Sequence, residues 1–195
     1  MGVLAQPLDM NTHIETLTSS PISGLSGEML IPGDKSISHR ALILGGMAIG
    51  QTKVAGLLMG ADVLSTLEAV RALGVNITSD AGIITIDGVG TGGFIPPEAP
   101  LDLGNAGTGV RLLMGAVAGQ PISATFTGDA SLSKRPMRRI TDPLALMGAQ
   151  IAYTPEGDEK GYLPVTITGA QPSLPLTYEM PVASAQIKSA ILFAA

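Results

Sequence analysis

At 195 residues the chain is long enough to bury a substantial core, and with 45% hydrophobic but only 3% aromatic residues and no Trp, that core must be aliphatic. A formal net charge of −5 argues against the broad basic face of a nucleic-acid binder, although local cations can still hold a small anion. The lack of Cys excludes disulfides, thiolate nucleophiles and Cys-ligated zinc, and the two His, His13 and His39, are too far apart for ligand spacing.

Taken in chain order, "MGVLAQPLDMNTHIETL" has neither the apolar segment of a signal peptide nor the Ser/Thr that myristoylation needs at its sixth position. No apolar run reaches the length of about 18 residues that a membrane span requires. A cytoplasmic protein with no membrane attachment is therefore expected. Residues 1–27 read as an extension carrying a short strand, "IETLTSS" (14–20). From Glu28 the punctuation becomes regular. "EMLI" (28–31) reads as a strand and "SISHRALILGGMA" (36–48) as a helix starting at Lys35-Ser36. A strand, "QTKVAGLL" (51–58), comes next. "DVLSTLEAVRALG" (62–74) has Val63, Leu67, Val70 and Leu73 on one helical stripe, with Gly74 as its stop. "VNITSDAGIITID" (75–87) reads as a hairpin turning at Ser79–Gly82.

The same order then recurs. "LDL" (101–103) is a strand, "AGTGVRLLMGAVAG" (106–119) a helix and "ISATFTGD" (122–129) a strand. "RRITDPLALMG" (138–148) holds a helix expected to begin near Thr141, with Pro143 in its first turn, and "AQIAYT" with "YLPVTITG" closes a second hairpin. "GMAIGQ" (46–51) echoes "GAVAGQ" (115–120), and "ALGVNI" (72–77) echoes "LMGAQI" (146–151). A third copy opens with "LPLTYEM" (174–180) as strand and "ASAQIKSAILFAA" (183–195) as helix. The fold class expected is α/β (α+β), in repeated β-α-β-α-β-β units over 28–195: two complete (about 28–95 and 99–169) and a third begun (about 174–195). The partial third unit is the pattern of a piece of a longer protein.

Two motifs are set aside on their context. "DGVGTGGF" (87–94) contains GxGxxG, but two prolines follow where a dinucleotide fingerprint opens a helix. "GEMLIPGDKS" has a Walker-like look with the wrong spacing, since five residues separate Gly27 from Gly33 and Asp34 precedes Lys35. What survives is the physics of a helix N-terminus after a tight turn, where free N–H groups favour an anion. Lys35 and Ser36 stand at that end, and Arg40 follows Ser36 by one turn on the same face. By spacing alone, an anion site and a plain Ser36 cap with solvated cations fit equally. "LGNAGTGVR" (103–111) occupies the equivalent place in the second repeat, as a ligand approach or as tight helix–sheet packing. "GDASLSKRPMRR" (128–139) sets Lys134, Arg135, Arg138 and Arg139 after a repeat strand, and "ASAQIK" (183–188) offers Ser184 and Gln186 at a third helix start. Three polar helix starts, one per repeat, point to one shared anionic ligand.

"PGDKSISHRALIL", "LGNAGTGVRLL", "GDASLSKRPM" and "ASAQIKSA", in this order and spacing, resemble the 5-enolpyruvylshikimate-3-phosphate synthase family, closest to its class II branch. The resemblance covers about residues 17–195. It implies the enolpyruvyl transferase fold, with units around a pseudo-threefold axis and a second domain that takes the initial strand of residues 1–27 and is completed by sequence beyond this chain. It also implies transfer of the enolpyruvyl group of phosphoenolpyruvate to the 5-hydroxyl of shikimate 3-phosphate, with no cofactor or metal and with glyphosate as inhibitor. By the same resemblance Lys35 contacts both substrates and assists proton transfer, and Ser36 and Arg40 hold shikimate 3-phosphate. Gly107 and Arg135 serve phosphoenolpyruvate, Ser184 and Ala185 meet the shikimate phosphate, and Gln186 sits between the substrates. Ala185 stands where some members carry Ser. The main catalytic carboxylates are expected beyond residue 195, so this chain alone is expected to be inactive. The alternatives are a non-catalytic fragment binding shikimate 3-phosphate, and the sister transferase acting on UDP-N-acetylglucosamine. The latter typically has a Cys in the loop equivalent to "GDASLSKRP" and an Asn after the first motif's Lys, and this sequence has neither.

Overall fold

The computed structural model describes residues 18–21, 23, 24, 26–155 and 160–195. By its contacts the chain divides into two units, Met1–Ile31 and Pro32–Ala195. Of the strand expected over 14–20, residues 14–17 lie outside the described residues, and 18–20 have no regular structure. Residues 28–31 form no strand either, and Met29, Leu30 and Ile31 are exposed. Such a run, apolar on both faces, gains from sheet pairing only where both faces are covered.

The second unit holds every regular element described. Its first half runs α1 (Lys35–Met47), β1 (Ile49–Ala55), α2 (Ala61–Ala72), β2 (Asn76–Asp80) and β3 (Ile83–Val89). Its second half runs β4 (Leu101–Asp102), α3 (Gly107–Ala118), β5 (Ser123–Thr127), α4 (Arg138–Leu146), β6 (Gln150–Tyr153) and β7 (Val165–Thr168), before α5 (Ala185–Ala194). The sheets are ordered β1-β3-β2 and β4-β5-β7-β6. In each, the two later strands form a hairpin whose second strand also pairs antiparallel with the strand after the first helix, so the repeat read in the sequence is present in three dimensions. The halves differ at one edge. β4 adds to β5 in parallel, whereas the first sheet has three strands. The strand expected over 174–180 is likewise absent. The β2–β3 turn is the tight two-residue kind, with Ala81 and Gly82 both at positive φ.

The expected stripe of α2 is its core face: Val63, Leu67, Val70 and Leu73 are all buried. One helix starts earlier than expected. α4 begins at Arg138 rather than near Thr141, so Pro143 is an interior residue. Burial of Met137, Ile140 and Leu144, spaced three and four apart, favours the longer helix despite the donor that Pro143 lacks. α3 lies at the centre and is buried on every face apart from Thr108 near its start. A Cβ at Gly115 would stand 2.6 Å from the Ala190 Cα, so this glycine lets the backbones of α3 and α5 meet. Among the described residues, no helix is long and apolar enough to cross a membrane.

Candidate functional site

Three helices that follow corresponding turns, α1, α3 and α5, carry most of the candidate residues at their starts, with Arg40 one turn further along α1 and Arg135 on the loop before α4. α1 is capped by Asp34, whose Oδ1 accepts from the Ile37 N–H at 2.7 Å. Ser36 is therefore not the cap; it lies within the first turn and is exposed. The cap motif fixes where the helix begins, and so places Lys35 as its first residue. Lys35 donates through Nζ to the Asp62 carboxylate at the start of α2, beside a recess of about 190 Å³ bounded by Leu58, Gly60 and Val63. Arg40 folds back over its own helix, bonding the Ser36 carbonyl at 3.0 Å, and reaches Ser189 Oγ on α5 at 2.8 Å.

The tightest convergence lies at the start of α3. Gly107 is its first residue, and a Cβ there would stand 2.8 Å from Nη1 of Arg135 and 3.3 Å from Nη1 of Arg111. Arg135 donates through Nη2 to the Asn105 side-chain carbonyl and, at 3.4 Å, to Ser131 Oγ. Asn105 in turn donates to Asp129 at 2.8 Å, and Asp129 also accepts the Ser131 and Leu132 N–H groups at 2.9 and 2.7 Å. The Leu132 N–H, then the Asn105 amide, hold the Asp129 carboxyl below its usual range. These bonds fasten the 128–135 loop, so that Arg135 projects to Gly107. On the other side Gln186, in the first turn of α5, donates to Thr108 Oγ1 at 3.1 Å and accepts from Arg111 at 3.1 Å. Ser184 caps α5, its Oγ accepting from the Ile187 N–H at 3.4 Å, while Ala185 is the exposed first helical residue.

Gly107, Arg135 and Gln186 are thus brought together, and Arg40 joins them through α5. Lys35 shares no hydrogen bond with that group among the described residues and turns instead to Asp62, whereas Ser36 meets it through its backbone carbonyl, which accepts from Arg40. Behind α1, the buried His39 bonds Thr66 Oγ1 through Nδ1 at 2.8 Å, and burial first, then Lys35, lower its pKa to about 4. Sequence reasoning passed over Arg111, Asn105, Asp129 and Asp62. Arg111 had a readable signal, because a lone charge inside "TGVRLLMGAVAG" has no polar face on which to reach solvent. The others are ordinary loop and helix-start polar residues, and only the tertiary structure gives them partners.

The arrangement is suited to holding anions. Arg40, Arg111 and Arg135 all bond neutral oxygens, whereas surface Arg71 pairs with Glu68. Guanidinium groups held by neutral acceptors keep their charge available to a carboxylate or phosphate. Among the described residues no group of three or more His, Cys, Asp or Glu could hold a metal ion. A recess of about 420 Å³ along α2 and residues 95–102 contains none of the candidate residues.

The profile of the EPSP synthase (3-phosphoshikimate 1-carboxyvinyltransferase) family matches residues 19–195. The 3-phosphoshikimate 1-carboxyvinyltransferase of Rhodopseudomonas palustris strain BisB5 is 59% identical over 187 residues, covering 95% of this chain and 41% of the relative. That of Ruegeria sp. strain TM1040 is 58% identical over 179 residues, 91% of this chain and 39% of the relative. The structure of EPSP synthase from Acinetobacter baumannii superimposes with a TM-score of 0.80 at 51% identity, covering 86% of this chain and 37% of that one. The chain therefore spans about two fifths of the length of the relatives it matches. Its repeated α/β units are those of the enolpyruvyl transferase fold. By sequence over residues 19–195 and by architecture, the chain belongs to the EPSP synthase family.

Proposed function

We propose that this chain supplies the shikimate 3-phosphate-holding part of an enzyme that transfers the enolpyruvyl group of phosphoenolpyruvate to the substrate's 5-hydroxyl. The observation that carries the reading is the pair of arginines, Arg40 and Arg135, which among the described residues bond only neutral oxygens beside the first turns of α1, α3 and α5. Both substrates are polyanions, and cations without carboxylate partners bind them without first breaking an ion pair.

In this reaction the 5-hydroxyl oxygen bonds to C2 of phosphoenolpyruvate as its proton leaves, and C3 takes up a proton to become a methyl group. The tetrahedral adduct then loses a proton from that methyl and expels phosphate, which restores the double bond. Lys35 is proposed to contact both substrates and to assist the proton transfers, leaving Asp62 as it does so. Ser36 and Arg40 hold shikimate 3-phosphate, Arg40 on its carboxylate. Ser184 and the Ala185 backbone receive its phosphate at the start of α5, where free N–H groups face outward. Gly107 and Arg135 bind phosphoenolpyruvate, and Gln186 lies between the two substrates. With hydrogen as its side chain, Gly107 also leaves room for glyphosate in the phosphoenolpyruvate pocket.

The test uses the 195-residue chain alone and fused to the part of the Ruegeria relative that it does not cover. The chain alone should bind shikimate 3-phosphate in a calorimetric titration and release no phosphate when phosphoenolpyruvate is added. The fusion should turn over. A fusion that folds but neither binds shikimate 3-phosphate nor releases phosphate overturns the assignment.

A further inference from the structure

We infer that Arg111 is a positioning residue: it takes up the side-chain carbonyl of Gln186, so that this amide presents N–H, and not oxygen, to an anion at the start of α3. The inference rests on the functional reading above and adds to it the element that sets the polarity of Gln186.

The two ends of a glutamine amide are almost the same size, so shape alone does not decide which way it faces. Hydrogen-bond chemistry does. A guanidinium has five N–H donors and no acceptor, so only Oε1 of Gln186 can face it. Arg111 is 5% exposed, and its Nη1 bonds Gln186 Oε1 at 3.1 Å and the Gly107 carbonyl at 3.2 Å. Nε2 of Gln186 then points the other way, giving one proton to Thr108 Oγ1 at 3.1 Å. Its second proton is left for a ligand. Thr108 cannot set this orientation by itself, because a hydroxyl both donates and accepts and would satisfy either end of the amide.

Arg111 has no carboxylate partner among the described residues, and its Nε is buried without a hydrogen bond. Burial, then the nearby charges of Arg139 and Arg135, lower its pKa to about 10, which still leaves it protonated at neutral pH. One side chain thereby links the first turn of α3, through Gly107, to the first turn of α5, through Gln186.

Two measurements test this on the 195-residue chain. In nuclear magnetic resonance spectra, the Gln186 side-chain amide should give two dispersed N–H signals in contact with Thr108. Arg111→Met should collapse that dispersion while leaving the backbone spectrum of the sheets in place. Unchanged Gln186 signals in R111M would overturn the inference. In the second measurement, R111M and Gln186→Ala should each weaken shikimate 3-phosphate binding by about tenfold, and the double variant should be no worse than the weaker single one. Multiplying effects, near about a hundredfold in the double variant, mean that the residues act independently and also overturn it. Where R111M does not fold, Arg111→Gln, whose side chain offers both a donor and an acceptor, answers the same question. A loss of affinity in R111Q that disappears in the Q186A background supports positioning, and an equal loss in both backgrounds, or no loss in either, refutes it. If the unaltered chain binds no shikimate 3-phosphate, either alone or in the fusion, the functional assignment fails, while the amide signals still decide the orientation.

Discussion

Replacing Gly107 by Ala separates a binding position from a packing position. The added Cβ would lie 2.8 Å from Arg135 Nη1, against the 3.4 Å at which ordinary contact begins, so one of the two must move by about 0.6 Å. The atoms met belong to the ends of two arginine side chains rather than to backbone, and Gly107 is not at positive φ. The fold can therefore accept the methyl. Within a helix, Ala is favoured over Gly by up to about 1 kcal/mol. The thermal midpoint of G107A should be unchanged or slightly raised. What changes is the position of Arg135, whose charge-assisted bond to a substrate is worth about 1.5–3 kcal/mol. Losing most of one such bond corresponds to about tenfold or more in affinity. In the fusion enzyme the KM for phosphoenolpyruvate should rise by that factor, and glyphosate inhibition should weaken at least as much. A midpoint lowered by several degrees would show that Gly107 is a packing position. An unchanged KM with unchanged inhibition would show that Arg135 does not serve the substrate.

Gly115→Ala should behave in the opposite way, since its Cβ would stand 2.6 Å from the Ala190 Cα, and backbone cannot swing aside. A loss of about 3 kcal/mol is expected in urea denaturation, with α3 and α5 forced apart. His39 gives a pH signature. Its pKa of about 4 in the fold lies below the ordinary 6.5, so the unfolded chain binds the extra proton between those values. The stabilisation is fully present above about pH 6.5 and is lost as pH falls toward 4, by at most about 3 kcal/mol. His39→Gln should flatten that part of the stability curve relative to the unaltered chain, and parallel curves would refute the reasoning. Asp34→Ala removes the cap of α1 and should cost about 1 kcal/mol in the same denaturation experiment.

The sequence by itself determined the repeat, and with it most of the architecture. Periodicity is a local property: the stripe of Val63, Leu67, Val70 and Leu73, the turn at Ala81-Gly82 and the glycine-ended helices are each set by a few neighbouring residues. The candidate residues were legible for a related reason, since polar tips at three helix starts stand out where apolar helices follow them. Tertiary structure decided the rest. Whether 28–31 and 174–180 become strands depends on a neighbour to pair with, and no local pattern supplies one. The start of α4 depends on burying Met137, which outweighs a proline. Most of all, the partners of the cations lie far away in the chain: Asp62 for Lys35, Ser189 for Arg40, Asn105 for Arg135 and Gln186 for Arg111. Local sequence can say that a charge exists, but the partner that neutralises it, or leaves it free for a ligand, is set by packing between elements up to 149 residues apart.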